Sequence, residues 1–233
     1  MLNDHRRAFW YALALLVSLG FVLMAVGKHP ASVAPQTSLT FVGRSDQQMY
    51  DMVDHIRITP LTWLFRFLNV VGGGVVTIPL RAIASLYLLA RRWWRRAAGF
   101  ILTWALSELV LTFLKSWFHR GRPPAGLVDI VGYSFPSGHA TAAAATAVAL
   151  VLAFFPAGAT RRKWEWIAVA FSFVMAFSRV YLHAHWFSDV VAGVLLGSGI
   201  ALGAFALANE IASLVLGRPV DQEMDQPEAT ADA

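Results

Sequence analysis

Long apolar stretches divide the chain, and short polar segments separate them. A helix that crosses a bilayer needs about 20 mostly apolar residues. Six stretches meet that need, roughly 8–27, 67–90, 97–117, 139–156, 164–182 and 187–208. The pattern predicts an all-α protein, a six-transmembrane helix bundle. Within the segment 28–66, Met49, Tyr50, Val53 and Ile56 recur at helical spacing, with Asp46, Asp51 and Asp54 among them. That predicts an interfacial amphipathic helix over 45–59, lying on the membrane surface. A helix packed on the bundle is the equal alternative.

Composition agrees with the bilayer reading. Of 233 residues, 57% are hydrophobic and 14% charged, against about 25% charged in soluble domains. The absence of cysteine excludes a disulfide framework, a thiolate zinc site and a cysteine nucleophile. A net charge of +5 suggests nucleic acid until its location is read. Ten of the nineteen basic residues are Arg6, Arg7, Arg91, Arg92, Arg95, Arg96, Arg161, Arg162, Lys163 and Arg218. With the N-terminus inside, all ten fall on one face, as the positive-inside rule requires. Both termini are then cytoplasmic, and 28–66, 118–138 and 183–186 face outward. Nucleic-acid binding fails because the cations are divided between membrane faces. The first stretch is read as an anchor, since its apolar run exceeds the about 7–15 residues of a signal peptide's core. A cleavable signal ending at 32–34 is the alternative. Residues 1–216 form the expected six-span domain. Residues 217–233 carry Asp221, Glu223, Asp225, Glu228 and Asp232 without apolar period, and read as a disordered acidic tail.

Some residues look structural. The Ala/Thr run 140–149 and the glycines Gly193, Gly197, Gly199 and Gly203 have small-xxx-small spacing, which lets helices approach closely. Arg81 and Glu108 lie inside the second and third expected spans. Counted from the inner segment 91–96 they fall at similar depth, about 15–18 Å at 1.5 Å per residue. An unpaired ion there is costly, so the two are expected to pair.

Three further polar clusters lie at span ends, where such groups mark function by default. The first holds Lys115, Arg120, Arg122 and Pro123. Lys115 and Arg122 are seven residues apart and face one spot if the helix continues. Alone, these cations would read as snorkelling at the interface. The second is Tyr133-Ser134-Phe135-Pro136-Ser137-Gly138-His139. A Pro-Ser-Gly turn entering a helix presents backbone N–H groups to an anion. The third holds Ser178, Arg179, His183, His185 and Asp189. His185 and Asp189 are four apart, on one face of a helix, so the carboxylate can hold one imidazole nitrogen and aim the other. The charge-derived topology puts all three clusters at the outer surface. Three cations with backbone donors suit a phosphoryl group, whose transfer rests on positioning and charge stabilisation. Two histidines can then serve as nucleophile and general acid. His5, His29, His55 and His119 read as interfacial or hydrogen-bonded residues. A zinc site from His139, His183 and His185 is opposed by the surrounding cations.

Lys-x6-Arg-Pro at 115–123, Pro-Ser-Gly-His at 136–139 and Ser-Arg-x5-His-x3-Asp at 178–189 resemble the three-part signature of the type 2 phosphatidic acid phosphatase superfamily. Order and spacing match without a gap, and the signature spans 115–189. The resemblance implies a metal-independent lipid phosphatase that needs no cofactor. It implies that His185 attacks phosphorus, Asp189 orients His185, and His139 protonates the leaving oxygen. Lys115, Arg122 and Arg179 would bind phosphate oxygens, with Ser137 and the Gly138 N–H completing the cage. His183 is the rival nucleophile, but its i+4 neighbour is Phe187 rather than a carboxylate.

A site at the outer boundary suits a lipid phosphate whose headgroup sits there and whose tail lies among the membrane lipids. Undecaprenyl diphosphate, phosphatidylglycerophosphate and phosphatidate are the leading substrates, and a lipid phosphotransferase or lipid A phosphatase is the alternative. An anion-binding transporter is the rival of another class, but transporters favour midplane sites and internal repeats. The expected location is the cell (inner) membrane, with the active site facing the periplasm or exterior.

Overall fold

The computed structural model describes residues 4–26 and 41–216. The expected acidic tail 217–233 with Arg218, the segment 32–34 and His29 lie outside the described residues. Among the described residues the fold is all-helical. Its helices are α1 (Asp4–Val26), α2 (Phe41–His55), α3 (Thr59–Val71), α4 (Gly74–Ala90), α5 (Trp94–Phe118), α6 (Gly138–Phe154), α7 (Ala159–Tyr181) and α8 (Phe187–Leu216).

Helices α6 and α8 form the centre. The Ala/Thr run of α6 leaves almost no side-chain bulk, and Ala140, Ala144, Ala145, Ala149 and Ala153 are buried. Helix α8 packs against α6, α1 and α5, and its glycines make this possible on two sides. A Cβ on Gly193 would lie 2.7 Å from the Ser137 carbonyl, and one on Gly197 would lie 2.8 Å from the Ala145 nitrogen. Both distances are below van der Waals contact, so α6 and α8 touch backbone to backbone. Gly199 and Gly203 face Leu16 and Ala12 of α1 instead. The outward side of α1 exposes Phe9, Trp10, Tyr11, Phe21 and Met24, an apolar surface of the kind that lipid covers.

Among the described residues, three helices are long and apolar enough to cross a membrane: Arg7–Val26, Trp94–Phe118 and Phe187–Val215. The expected span over 67–90 is not one helix. It is interrupted between α3 and α4, which together pass the same test but are bent by 45°. Gly73 is extended there (φ −78°, ψ 165°), and an α-helix cannot run through an extended residue. Apolarity is blind to this break, because Gly72, Gly73 and Gly74 interrupt the helix without adding charge.

The Arg81–Glu108 pair is present. Arg81 Nη1 donates to Glu108 Oε1 at 2.7 Å, and its other nitrogens donate to Thr146 Oγ1 at 2.7 Å and to the Ala142 carbonyl at 3.2 Å. The pair and its acceptors join α4, α5 and α6.

The amphipathic segment forms α2, shifted toward the N-terminus of its expected range. Its apolar residues Met49 and Val53 pack into a core cluster with Phe65, Val180, Tyr181 and Leu182. Asp46, read as part of the polar face, is only 2% exposed. The contacts are those of the packed-helix alternative.

Candidate active site

Five helix ends and α2 meet at one end of the bundle. These are the C-termini of α3, α5 and α7 and the N-termini of α6 and α8. The segment 119–137 weaves among them without regular structure. It is tied down by Ser134 N–H to the Arg120 carbonyl (2.9 Å), Leu127 N–H to the Leu182 carbonyl (2.9 Å) and Trp186 Nε1–H to the Gly121 carbonyl (3.0 Å).

Helix α5 does not continue to Arg122. His119 adopts a left-handed conformation (φ 48°) and ends it, so the two-turn argument for Lys115 and Arg122 fails. The loop brings them together instead. Lys115 Nζ donates to the Tyr133 carbonyl at 2.6 Å, and Arg122 Nη2 donates to the same oxygen at 3.2 Å. Arg122 Nη1 donates to the Ala184 carbonyl at 2.7 Å and stands 3.2 Å from His185 Nε2.

That last contact fixes the tautomer. A guanidinium only donates, so Nε2 carries the lone pair and Nδ1 carries the proton. His185 Nδ1 faces Asp189 Oδ2 at 3.5 Å and has no closer partner. The expected helical face is not how they meet: α8 starts at Phe187, after His185. Asp189 folds back, its Oδ2 accepting the Trp186 N–H at 2.9 Å, and so turns the preceding loop toward itself. Burial, with Arg122 and Arg179 adding to it against the pull of Asp189, lowers the His185 pKa to about 3. The ring is therefore neutral at physiological pH, with its Nε2 lone pair turned toward the Arg122 guanidinium.

His139 and Arg179 share a partner that the sequence reading missed. Asn69, at the end of α3, accepts from Arg179 Nη1 through its side chain at 2.7 Å, and its backbone carbonyl lies 3.0 Å from His139 Nε2. A carbonyl only accepts, so Nε2 is the donor there. Gly72 also lies against His139: a Cβ on it would stand 3.0 Å from the ring. The break in the second expected span thus makes room for a site histidine. A polar asparagine inside an otherwise apolar stretch was the signal available. Arg179 is fully buried, yet its Nε and Nη2 have no hydrogen-bond partner among the described residues.

Ser137 caps α6, accepting the Ala140 N–H at 3.4 Å, and Gly138 is the first residue of that helix. His183 turns elsewhere. Its ring stacks on Tyr50 with centroids 3.8 Å apart, and Arg57 and Asp54 are its charged neighbours. His119 packs edge-on against Tyr133.

Arg120 is a correction. Read as a snorkelling cation, it is 8% exposed and bridges Asp189 and Asp46, at 2.6 Å to each. Sequence pattern gives snorkelling as the default because the carboxylates that hold Arg120 come from distant segments.

A profile of the PAP2 superfamily, the type 2 phosphatidic acid phosphatases of the resemblance above, matches residues 96–212. The chain belongs to the PAP2 superfamily. Membership bears out the resemblance carried by the three motifs and the phosphatase class it implied. Among PAP2 relatives, the chain is 27% identical over 201 residues to an undecaprenyl-diphosphatase of Sulfolobus acidocaldarius, a match covering 83% of this chain and 87% of that protein. It is 33% identical over 135 residues to phosphatidylglycerophosphatase B of Bacillus subtilis, covering 54% of this chain and 64% of that one. The fold is similar to the crystal structure of a transmembrane PAP2-type phosphatidylglycerolphosphate phosphatase from Bacillus subtilis. The TM-score is 0.70 at 23% identity, over 88% of this chain and 98% of the other.

Proposed function

We propose that this PAP2 protein is an integral membrane phosphatase that hydrolyses the phosphomonoester or diphosphate of a lipid through a phosphohistidine. The observation that carries the reading is the buried Arg179 guanidinium, two of whose nitrogens have no partner among the described residues, in electrostatic reach of His185 and His139. A buried cation is costly without an anion, and a phosphate dianion supplies one.

In this reading Lys115, Arg122 and Arg179 hold the phosphoryl oxygens, assisted by Ser137 and the Gly138 N–H at the α6 N-terminus. His185 Nε2 attacks phosphorus, and the bond from phosphorus to the lipid oxygen breaks. His139, with its Nε2–H held by the Asn69 carbonyl, carries on Nδ1 a proton brought in with the phosphate and gives it to that oxygen. Asp189 stabilises the imidazolium-like ring that results. Water, activated by His139, then attacks phosphorus, the P–N bond breaks, and inorganic phosphate leaves a neutral His185. No step calls for a metal.

Six spans, with residues 1–216 as one membrane domain and both ends cytoplasmic, remain the reading that the clustered cations favour. It puts the site at the outer face of the cell membrane. The names of the relatives support undecaprenyl diphosphate and phosphatidylglycerophosphate as leading substrates. The test is phosphate release from these two and from phosphatidate in detergent, with trapping of label from 32P-substrate as an acid-labile protein adduct. Wild type is expected to do both and His185→Ala neither. Equal release by the two proteins would refute the assignment.

A further inference from the structure

We propose that Asp46 and Arg120 are positioning residues for the His185–Asp189 dyad, which makes α2 part of the catalytic apparatus. The inference rests on the reading of His185 as nucleophile given above.

Asp189 is completely buried, and its two oxygens are held separately. Oδ2 accepts the Trp186 N–H, while Oδ1 accepts Arg120 Nη1 at 2.6 Å. The carboxylate plane is thereby fixed with Oδ2 facing His185 Nδ1. Arg120 is fixed in turn. Its Nη1 also donates to Ser188 Oγ at 2.7 Å, and its Nη2 donates to Asp46 Oδ2 at 2.6 Å. Asp46 completes the ring of contacts: Oδ1 accepts the Ser188 N–H at 2.7 Å and Oδ2 accepts Ser188 Oγ at 2.8 Å. A carboxylate on α2 thus satisfies an N–H at the start of α8, where the helix dipole favours negative charge. The Trp186 ring lies 5.8 Å from the Arg120 guanidinium carbon.

Two neighbouring arginines therefore address opposite sides of one histidine. Arg122 stands beside Nε2, the nitrogen that meets phosphorus. Arg120 reaches the carboxylate behind Nδ1, with both Nη1 donors on Asp189 and Ser188 and an Nη2 donor on Asp46, and in this reading it serves the dyad rather than the phosphate. Bidentate bridging of two carboxylates needs the planar fork of arginine. Burial works against the Arg120 charge, but Asp189 and Asp46 together hold its pKa above the ordinary value.

The experiment compares Arg120→Gln, Arg120→Lys and Asp46→Asn with wild type and His185→Ala, in detergent, on phosphatidate. Inhibition by inorganic vanadate serves as the probe of the phosphate cage. Arg120→Gln is expected to lose about tenfold or more in kcat, by analogy with the groups that orient metal-bound histidines, with KM and the vanadate inhibition constant little changed. Asp46→Asn loses less, because Asn still accepts from Ser188. The pH profile gives the second readout. The charged groups facing His185 are Asp189 from α8, Arg122 from the loop and Arg179 from α7. Without Arg120 the Asp189 charge acts on His185 alone, so the acidic limb of kcat/KM moves to higher pH. A variant that is only less stable keeps the wild-type limb. Should Arg120→Gln not be recovered from membranes, Arg120→Lys carries the same test, since a point charge cannot bridge both carboxylates. Wild-type kcat in both Arg120 variants overturns the proposal, and so does vanadate affinity that falls in step with kcat. An active His185→Ala would instead remove the reading beneath it.

Discussion

Replacing Glu108 by Gln removes the charge that faces Arg81 inside the bundle. The two halves of this pair are not equivalent: the Arg81 side chain is 3% exposed and that of Glu108 is 51% exposed. Glu108→Gln therefore leaves a buried guanidinium whose other acceptors, Thr146 Oγ1 and the Ala142 carbonyl, are neutral. Removing one partner of a buried pair costs about 3–5 kcal/mol. Those two retained acceptors, with Trp104 5.9 Å from the guanidinium carbon, bring the expected loss to about 2–3 kcal/mol, below that range. Arg81→Met leaves a carboxyl whose exposed side faces lipid rather than water, where an unpaired ion is also costly, and is expected to lose about 2–3 kcal/mol as well. In the double variant neither ion is left unpaired, so its loss is expected to fall below the sum of the single losses. For a chain of this size 1 kcal/mol is about 2–4 °C in Tm, which puts Glu108→Gln about 4–12 °C below wild type. The assay is thermal unfolding in detergent followed by the fluorescence of the nine tryptophans. A Glu108→Gln variant as stable as wild type, or a double variant at the sum of the single losses, would show that the pair is incidental.

Two further outcomes test the packing and the site. Gly197→Ala drives a methyl into the α6 backbone and is expected to cost about 1–3 kcal/mol, with activity falling alongside Tm because α6 and α8 carry His139 and Asp189. Gly203→Ala, whose Cβ would meet only Ala12 Cβ at 3.8 Å, is expected to melt like wild type, and equal losses from the two would contradict the close-approach account. The pH dependence of stability follows from His185. The unfolded chain protonates it near about 6.5, the folded protein only near about 3. Between those values the unfolded state binds more protons, so stability falls as pH falls through that window. This one group contributes at most about 1.4 kcal/mol per pH unit. Melting between pH 7 and 4 is expected to be steeper for wild type than for His185→Asn, and parallel slopes would mean that His185 is not buried and neutral.

Some residues announced their surroundings and others did not. Lys115, Arg122, His139, Arg179, His185 and Asp189 were found because ionisable groups among apolar spans are expensive and therefore few. Arg81 and Glu108 were paired by depth alone, since antiparallel helices joined by a short loop share a ruler. The segment 45–59 was legible as a helix from its period, but period could not say what lay against it. Asp46 has the same spacing as an exposed aspartate and is instead buried against Arg120. Asn69 stood in plain view as a polar residue in an apolar run, yet its value lies in two contacts to residues 70 and 110 positions away.

The amino-acid sequence by itself determined the solvent, the class and the family: lipid around the helices, an all-helical fold, and three motifs that match the PAP2 signature. These are properties of composition, period and local spacing, which a chain carries whether folded or not. Tertiary structure decided how the residues meet. It broke the second expected span at Gly72 and Gly73 and seated His139 beside the gap. It ended α5 before Arg122 and used a loop to return that arginine to Lys115 and His185. It also sent Arg120 inward, to two carboxylates from distant segments. A contact between distant segments depends on where backbones cross, and no local pattern encodes that.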